Sequence, residues 1–224
     1  MTRNTNQWIE EYKKKNALWI HDGNPKSPHA LLTSRRHSNG FFNSRLVIPD
    51  EILLRDAASD LLELFADQGG DVSGVQGVVG PQTGATKLAE LLSDQITAFT
   101  RGECLWVSPA KNEQTGQKSM VFSDKERGLL MGQYILLCED VLTTGGSVNL
   151  AVTAVTDAGG ITLPFILVLV NRSGLMEAGK KNIITLIDCP MPMWTSDECP
   201  LCKQGSEAIR PKDKESWARL NSSY

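Results

Sequence analysis

Four short runs constrain this chain most: GVQGVVG at 74–80, ECLWVS at 103–108, YILLCED at 134–140 and PFILVLVN at 164–171. The last three are nearly continuous in apolar residues rather than alternating. That is the pattern of strands buried on both faces, as in a parallel sheet covered by helices. Helix-periodic segments separate them. DEILLRDAASDLLELFADQ (50–68) opens after Pro49 and closes at Gly69-Gly70, while ATKLAELLSDQITAF (85–99) and GSVNLAVTAVTDAGG (146–160) follow glycine-bearing loops. The β-α-β-α order predicts an α/β fold with an open parallel sheet flanked by helices. Sheets of this kind bind ligands beyond the carboxyl ends of their strands. Two such ends carry unusual loops here, Gly80–Gly84 and Glu139–Ser147.

The 224 residues suffice for one large domain, or for a core with a small subdomain. A formal net charge of −3 argues against a non-specific nucleic-acid binder, which needs a basic footprint. No apolar run approaches the roughly 18 residues of a membrane span. The N-terminal MTRNTNQWIEEYKKKNALWI lacks the apolar core of a secretory signal. With five cysteines, an odd number, this predicts a reducing, cytoplasmic setting and free thiols. CPLC at 199–202 is the only CxxC and no histidine follows it. It reads as two thiols in a C-terminal turn, with a structural metal or a redox pair as the alternative. None of His21, His29 and His37 stands in a motif, so metal–histidine chemistry has little support at this level.

The strand at 135–138 delivers Glu139 and Asp140 to the sheet edge. There a carboxylate can accept hydrogen bonds from vicinal hydroxyls such as the 2′ and 3′ hydroxyls of a ribose. Thr143-Thr144-Gly145-Gly146-Ser147 then leads into a helix. Its glycines let N–H groups converge, its hydroxyls add donors, and the helix N-terminus favours negative charge. Acids for ribose beside a cradle for phosphate describe a site for a ribose 5-phosphate. The loop is neither a Walker A nor a GxGxxG sequence.

From Ile135 to Ser147 the sequence resembles the phosphoribosyl-pyrophosphate (PRPP) motif of type I phosphoribosyltransferases. Within that superfamily the chain is most similar to the orotate phosphoribosyltransferases. ALLTSRRHSNGFFN (30–43) resembles their N-terminal substrate segment, with Ser34, Arg36, Ser38, Phe41, Phe42 and Asn43 at matching places. VVGPQTGATKLA (78–89) resembles their pyrophosphate loop, and LVLVNRSG (167–174) the strand whose arginine contacts the base. The likeness covers about residues 28–180 and is strongest at these four segments.

The resemblance implies a single phosphoribosyltransferase domain. Its core would span about 50–180, with a small hood built from about 1–49 and 181–224. It implies Mg²⁺-dependent transfer of 5-phosphoribosyl from PRPP to a nitrogenous base, by a homodimer with composite active sites. Glu139 and Asp140 would hold the ribose; Thr143, Thr144, Gly145, Gly146 and Ser147 would bind its phosphate. Gly80, Pro81, Gln82, Thr83 and Gly84 would meet pyrophosphate, with Lys87 one turn into the helix as added charge or as a solvated helix lysine. Mg²⁺ would arrive through PRPP, with no protein ligand singled out. Phe41, Phe42 and Asn43 would face the base, and Arg172 would bond it bidentately, as a planar guanidinium suits orotate. The polar segment 109–127 would be a closing loop whose Lys111 and Lys118 meet the departing pyrophosphate.

Two departures keep alternatives open. Thr33 and Arg35 stand where the orotate enzymes commonly have lysine and glycine, and the 109–127 segment lacks their usual histidine. A phosphoribosyltransferase for another base, such as a purine, shares the PRPP half. A PRPP-sensing regulator without catalysis is the third reading, poorly matched to the acidic charge balance.

Overall fold

The computed structural model describes residues 2–112 and 118–224. The chain forms two compact units, one of residues up to Trp8 with Ile48–Cys189, the other of Ile9–Val47 with Pro190–Tyr224.

The larger unit is built on a six-stranded sheet, in the order Glu177–Ala178, Lys181–Asp188, Ile161–Asn171, Tyr134–Leu142, Gly77–Val79, Leu105–Val107. Every neighbouring pair is parallel except the first, which is antiparallel. Tyr134–Leu142 lies inside the sheet, and its residues 135–138 are all buried, as the continuous apolar run requires. Strand alternation sorts their side chains. Ile135 and Leu137 join the apolar cluster of Val148, Ala151 and Val155 on the Gly146–Asp157 helix. Cys138 turns to the opposite face, its thiol 3.9 Å from the carbonyl of Ala85. On that face lies the Thr86–Thr100 helix with Leu88, Leu91, Leu92 and Ile96 fully buried. The Glu51–Asp67 helix packs against it and against the sheet through Leu54, Leu61 and Phe65. Each such side chain contributes about 1.5–3 kcal/mol by leaving water. Asp50 caps this helix, its carboxylate accepting from the Leu53 N–H at 3.0 Å.

Two elements differ from the sequence reading. Lys181–Asp188, assigned there to the hood, is an inner strand of the sheet. Its IITLI run at 183–187 has the β-branched content of a strand; the hood boundary at 181 follows instead from where the resemblance ends. Tyr134–Leu142 continues two residues past the acids, so Glu139 and Asp140 lie within the strand. In segment 109–127, where the sequence allows a loop or a hairpin, Ala110–Asn112 pairs antiparallel with Ser119–Val121, and the Asp124–Leu130 helix follows with a reciprocal Ser123/Glu126 cap.

The smaller unit joins residues 9–47 to residues 190–224. Leu18–Ile20 pairs with Gly40–Phe42. A second sheet runs Met193–Trp194, His37–Ser38, His29–Leu31, Ala208–Ile209. Trp19, Ala30, Leu32, Phe41, Trp217 and Leu220 are in its core, and the Trp19 indole donates to the Leu220 carbonyl at 2.7 Å.

Candidate active site

Gly77–Val79 ends opposite Leu137, so the loop that follows it runs alongside the acids of the longer neighbouring strand Tyr134–Leu142. Gly80 follows the first strand at a place where nothing larger fits. A Cβ there would lie 2.4 Å from the Ala85 carbonyl oxygen and 2.9 Å from the Cys138 sulfur. Ser108 straps this loop: its hydroxyl donates to the Gly80 carbonyl (2.6 Å) and, that hydrogen being used, accepts from Thr86 (2.7 Å). The Gln82 amide donates to the Ser108 carbonyl at 3.0 Å, and the Gln82–Thr83 peptide is cis. Pro81 is buried, while Gln82 and Thr83 are exposed at the tip. Gly84 closes the loop directly on the second strand, where a Cβ would stand 2.6 Å from the Asp140 carboxyl carbon.

Glu139 and Asp140 point to opposite faces, as consecutive strand residues must. Glu139 is 7 % exposed, and burial followed by the neighbouring Asp140 charge pushes its pKa well above the usual carboxylate range. The Lys111 charge acts against that rise, which ties the hairpin electrostatically to this acid. The Asp140 N–H donates to the Glu139 carboxylate at 3.2 Å.

Past Leu142 the chain turns through Thr143 and Thr144 into Gly145, at φ 75°, which precedes the Gly146–Asp157 helix without any side-chain cap. A left-handed residue is needed at this turn, and glycine adopts it at no steric cost. Gly146, Ser147 and Val148 begin the helix, so their N–H groups have no carbonyl one turn back. They border a cleft of about 40 Å³ lined by Glu139 and residues 141–148. Amide donors, two threonine hydroxyls and the positive end of a helix dipole around a small polar cleft suit a phosphate-sized anion.

Lys87 turns to carboxylates, bonding Glu90 at 3.1 Å with Glu51 at 3.8 Å, and the Glu90 hydrogen bond raises its pKa. That is the helix-lysine reading. Lys111, on the first hairpin strand, and Lys118, just before the second, are both exposed; residues 113–117 between them lie outside the described residues. Arg172 follows the Ile161–Asn171 strand and is 1 % exposed. Burial lowers its pKa to about 10, partly offset by Cys189. Phe41, Phe42 and Asn43 belong to the smaller unit, all buried. Phe42 packs edge-on against Tyr12 (5.3 Å) as a core aromatic. Phe41 contacts Trp217 and also lines a cavity of about 240 Å³ with Thr33, Arg35, Arg210 and Lys212. The Asn43 N–H donates to the Ala17 carbonyl at 2.7 Å.

Sequence reasoning missed Ser108, a small hydroxyl after an apolar strand with no motif around it. It also gave the histidines no role. The structure corrects this, setting His29 and His37 beside the CPLC thiols, with the Cys202 sulfur 3.1 Å from His37 Nδ1.

No protein-family model matches the chain. An orotate phosphoribosyltransferase of Pelotomaculum thermopropionicum is 32% identical over 209 residues, which cover 87% of this chain and 94% of that protein. The crystal structure of orotate phosphoribosyltransferase from Aeropyrum pernix aligns over 80% of this chain and 91% of its own, at a TM-score of 0.57 and 22% identity. That of an adenine phosphoribosyltransferase from Rhodothermus marinus covers 81% and 98%, at 0.51 and 19%. The two structural likenesses carry the fold, which is that of the type I phosphoribosyltransferases and is common to enzymes named for different bases. The sequence relation is closer and spans nearly the whole of both chains. This chain belongs to the orotate phosphoribosyltransferase family.

Proposed function

We propose that the protein transfers the 5-phosphoribosyl group of PRPP to a ring nitrogen of orotate, giving orotidine 5′-monophosphate and pyrophosphate. The observation that carries this reading is the end of one strand: Asp140 lies against the Gly80–Gly84 loop, and the same strand runs on through Thr143 and Thr144 into the uncapped helix N-terminus at Gly146. The helix N-terminus and the Thr143 and Thr144 hydroxyls hold the 5-phosphate. Glu139 and Asp140 accept from the ribose hydroxyls. The glycine loop receives the pyrophosphate.

Breaking the C1–O bond builds positive charge on the ribose and negative charge on the leaving pyrophosphate. The acids stabilise the first, and the loop amides with Lys111 and Lys118 the second. No side-chain nucleophile is needed. Arg172, at the end of the Ile161–Asn171 strand, is the group we assign to the base.

Mg²⁺ would arrive on PRPP, with no protein ligand assigned because Glu139 and Asp140 point to opposite faces, and when bound it supplies charge neutralisation on pyrophosphate. A homodimer working in the cytoplasm belongs to the same reading. No helix among the described residues is long and apolar enough to cross a membrane.

The test is to incubate the protein with PRPP, Mg²⁺ and a panel of bases, following pyrophosphate release and the nucleotide formed. Turnover with orotate is expected. Turnover with a purine alone would reassign the base, and PRPP binding without turnover on any base would make the protein a PRPP sensor.

A further inference from the structure

We propose that the smaller unit holds a structural zinc ion, bound by His29, His37, Cys199 and Cys202. The inference is independent of the phosphoribosyl transfer proposed above.

Among the described residues these four form the one group whose potential ligand atoms converge, all lying within 4.8 Å of one another. Four of the six separations are His29 Nε2 to His37 Nδ1, 2.9 Å; Cys202 Sγ to His37 Nδ1, 3.1 Å; Cys202 Sγ to His29 Nε2, 3.5 Å; and Cys199 Sγ to His29 Nε2, 3.6 Å. With Zn–S near 2.3 Å and Zn–N near 2.0–2.1 Å, a tetrahedron has edges of about 3.3–3.8 Å. The four donors therefore stand close to the spacing that an ion would impose. Two sulfurs and two imidazole nitrogens form a borderline-soft set that selects zinc over the hard cations.

The ring of His29 is held in the ligating tautomer. Ser206 donates its only hydroxyl hydrogen to the Ser27 carbonyl at 2.7 Å. It must then accept at the 2.8 Å contact with His29 Nδ1, so the proton sits on Nδ1 and the Nε2 lone pair faces the cluster. An imidazole fixed from behind through its far nitrogen is the usual outer-shell arrangement at a metal centre. Three of the four residues are buried, and Cys202 is half-buried at the rim, which leaves a way in.

The unit also needs what a metal provides. It comprises roughly 75 residues in two stretches, a size at which a single apolar core seldom suffices and a disulfide or metal commonly adds the difference. The two histidines come from its N-terminal stretch and the two cysteines from its C-terminal one. An ion would thus tie segments some 170 residues apart in sequence, restricting the unfolded chain as a long-loop crosslink does.

The experiment uses the full chain without a polyhistidine tag, purified under reductant and dialysed against metal-free buffer. Elemental analysis is expected to find about one zinc per chain. Replacing it with Co²⁺ should produce the intense visible bands of a tetrahedral site and a thiolate-to-metal charge-transfer band. Cys202→Ser should lose the metal, His37→Cys should keep it, and Cys104→Ala, outside the cluster, should be unchanged. Because variants can misfold, the wild-type cobalt spectrum decides. Its absence from reduced protein, or recovery of a Cys199–Cys202 disulfide in place of metal, overturns the proposal.

Discussion

Gly84 lies so near Asp140 that a methyl group on its Cα would stand 2.6 Å from the carboxyl carbon. The substitution Gly84→Ala must therefore push the acid from its place or lift the loop. Steady-state kinetics should show KM for PRPP rising by about tenfold or more, since small misplacements in a substrate cradle are costly. KM for orotate should change little. Unaltered PRPP kinetics would mean that the loop and the acid do not share a ligand.

Asp140→Asn keeps the size of the side chain and removes its charge. A loss of about 10²–10³ in kcat/KM is expected, typical for deleting an electrostatic contact to a transition state. Asp157→Asn, at the far end of the following helix and exposed, serves as the control with wild-type rates.

Glu139→Gln should separate stability from activity. The carboxyl's pKa is raised above its ordinary 4.5 by burial and by Asp140, so the folded chain binds this proton more tightly than the unfolded chain. Its contribution to stability is complete below pH 4.5 and is lost as pH rises through the folded value. Glutamine abolishes that loss. Melting curves should show the variant gaining on the wild type as pH goes from about 5 to 8, while transfer activity falls. A gain independent of pH would show that the raised pKa is not the cause.

How much of this was legible beforehand depends on chain locality. Ile135–Ser147 carries its strand, acids, turn and helix start in one uninterrupted segment, so the resemblance and the chemistry could both be read there. The sheet's parallel strands announced themselves because burial on two faces leaves little room for polar residues. Lys181–Asp188 also holds a β-rich run, IITLI at 183–187, but it lies past the last segment of the resemblance, where the hood boundary falls. The His29–His37–Cys199–Cys202 cluster was illegible for a different reason. Its halves are separated by some 170 residues, and they meet through the sheet in which His37–Ser38 pairs with His29–Leu31 and with Met193–Trp194, and His29–Leu31 with Ala208–Ile209. Lys87 shows the reverse case, a candidate cation whose nearest anions lie on its own helix and the next.

Trp8 tethers the start of the chain to the larger unit, its indole N–H donating to the buried Asp60 carboxylate at 3.0 Å. Trp8→Phe retains the apolar bulk and deletes the donor, leaving the carboxylate with the Arg3 amide at 2.9 Å. Urea denaturation should show a loss of about 1.5–3 kcal/mol, the range for a bond to a charged group. Trp106→Phe, on an exposed edge-strand tryptophan, should cost almost nothing.

The parallel pairing of Ala208–Ile209 with His29–Leu31 also sets an order of events on the ribosome. Translation delivers residues 9–47 first and their partners in 190–224 last, with the whole of Ile48–Cys189 made in between. The sheet-bearing unit has its full complement of strands while the early segment still lacks its parallel neighbour. The 9–47 segment thus waits on residues 190–224, and a nascent chain stalled before residue 190 would carry a finished sheet and an unfinished second unit.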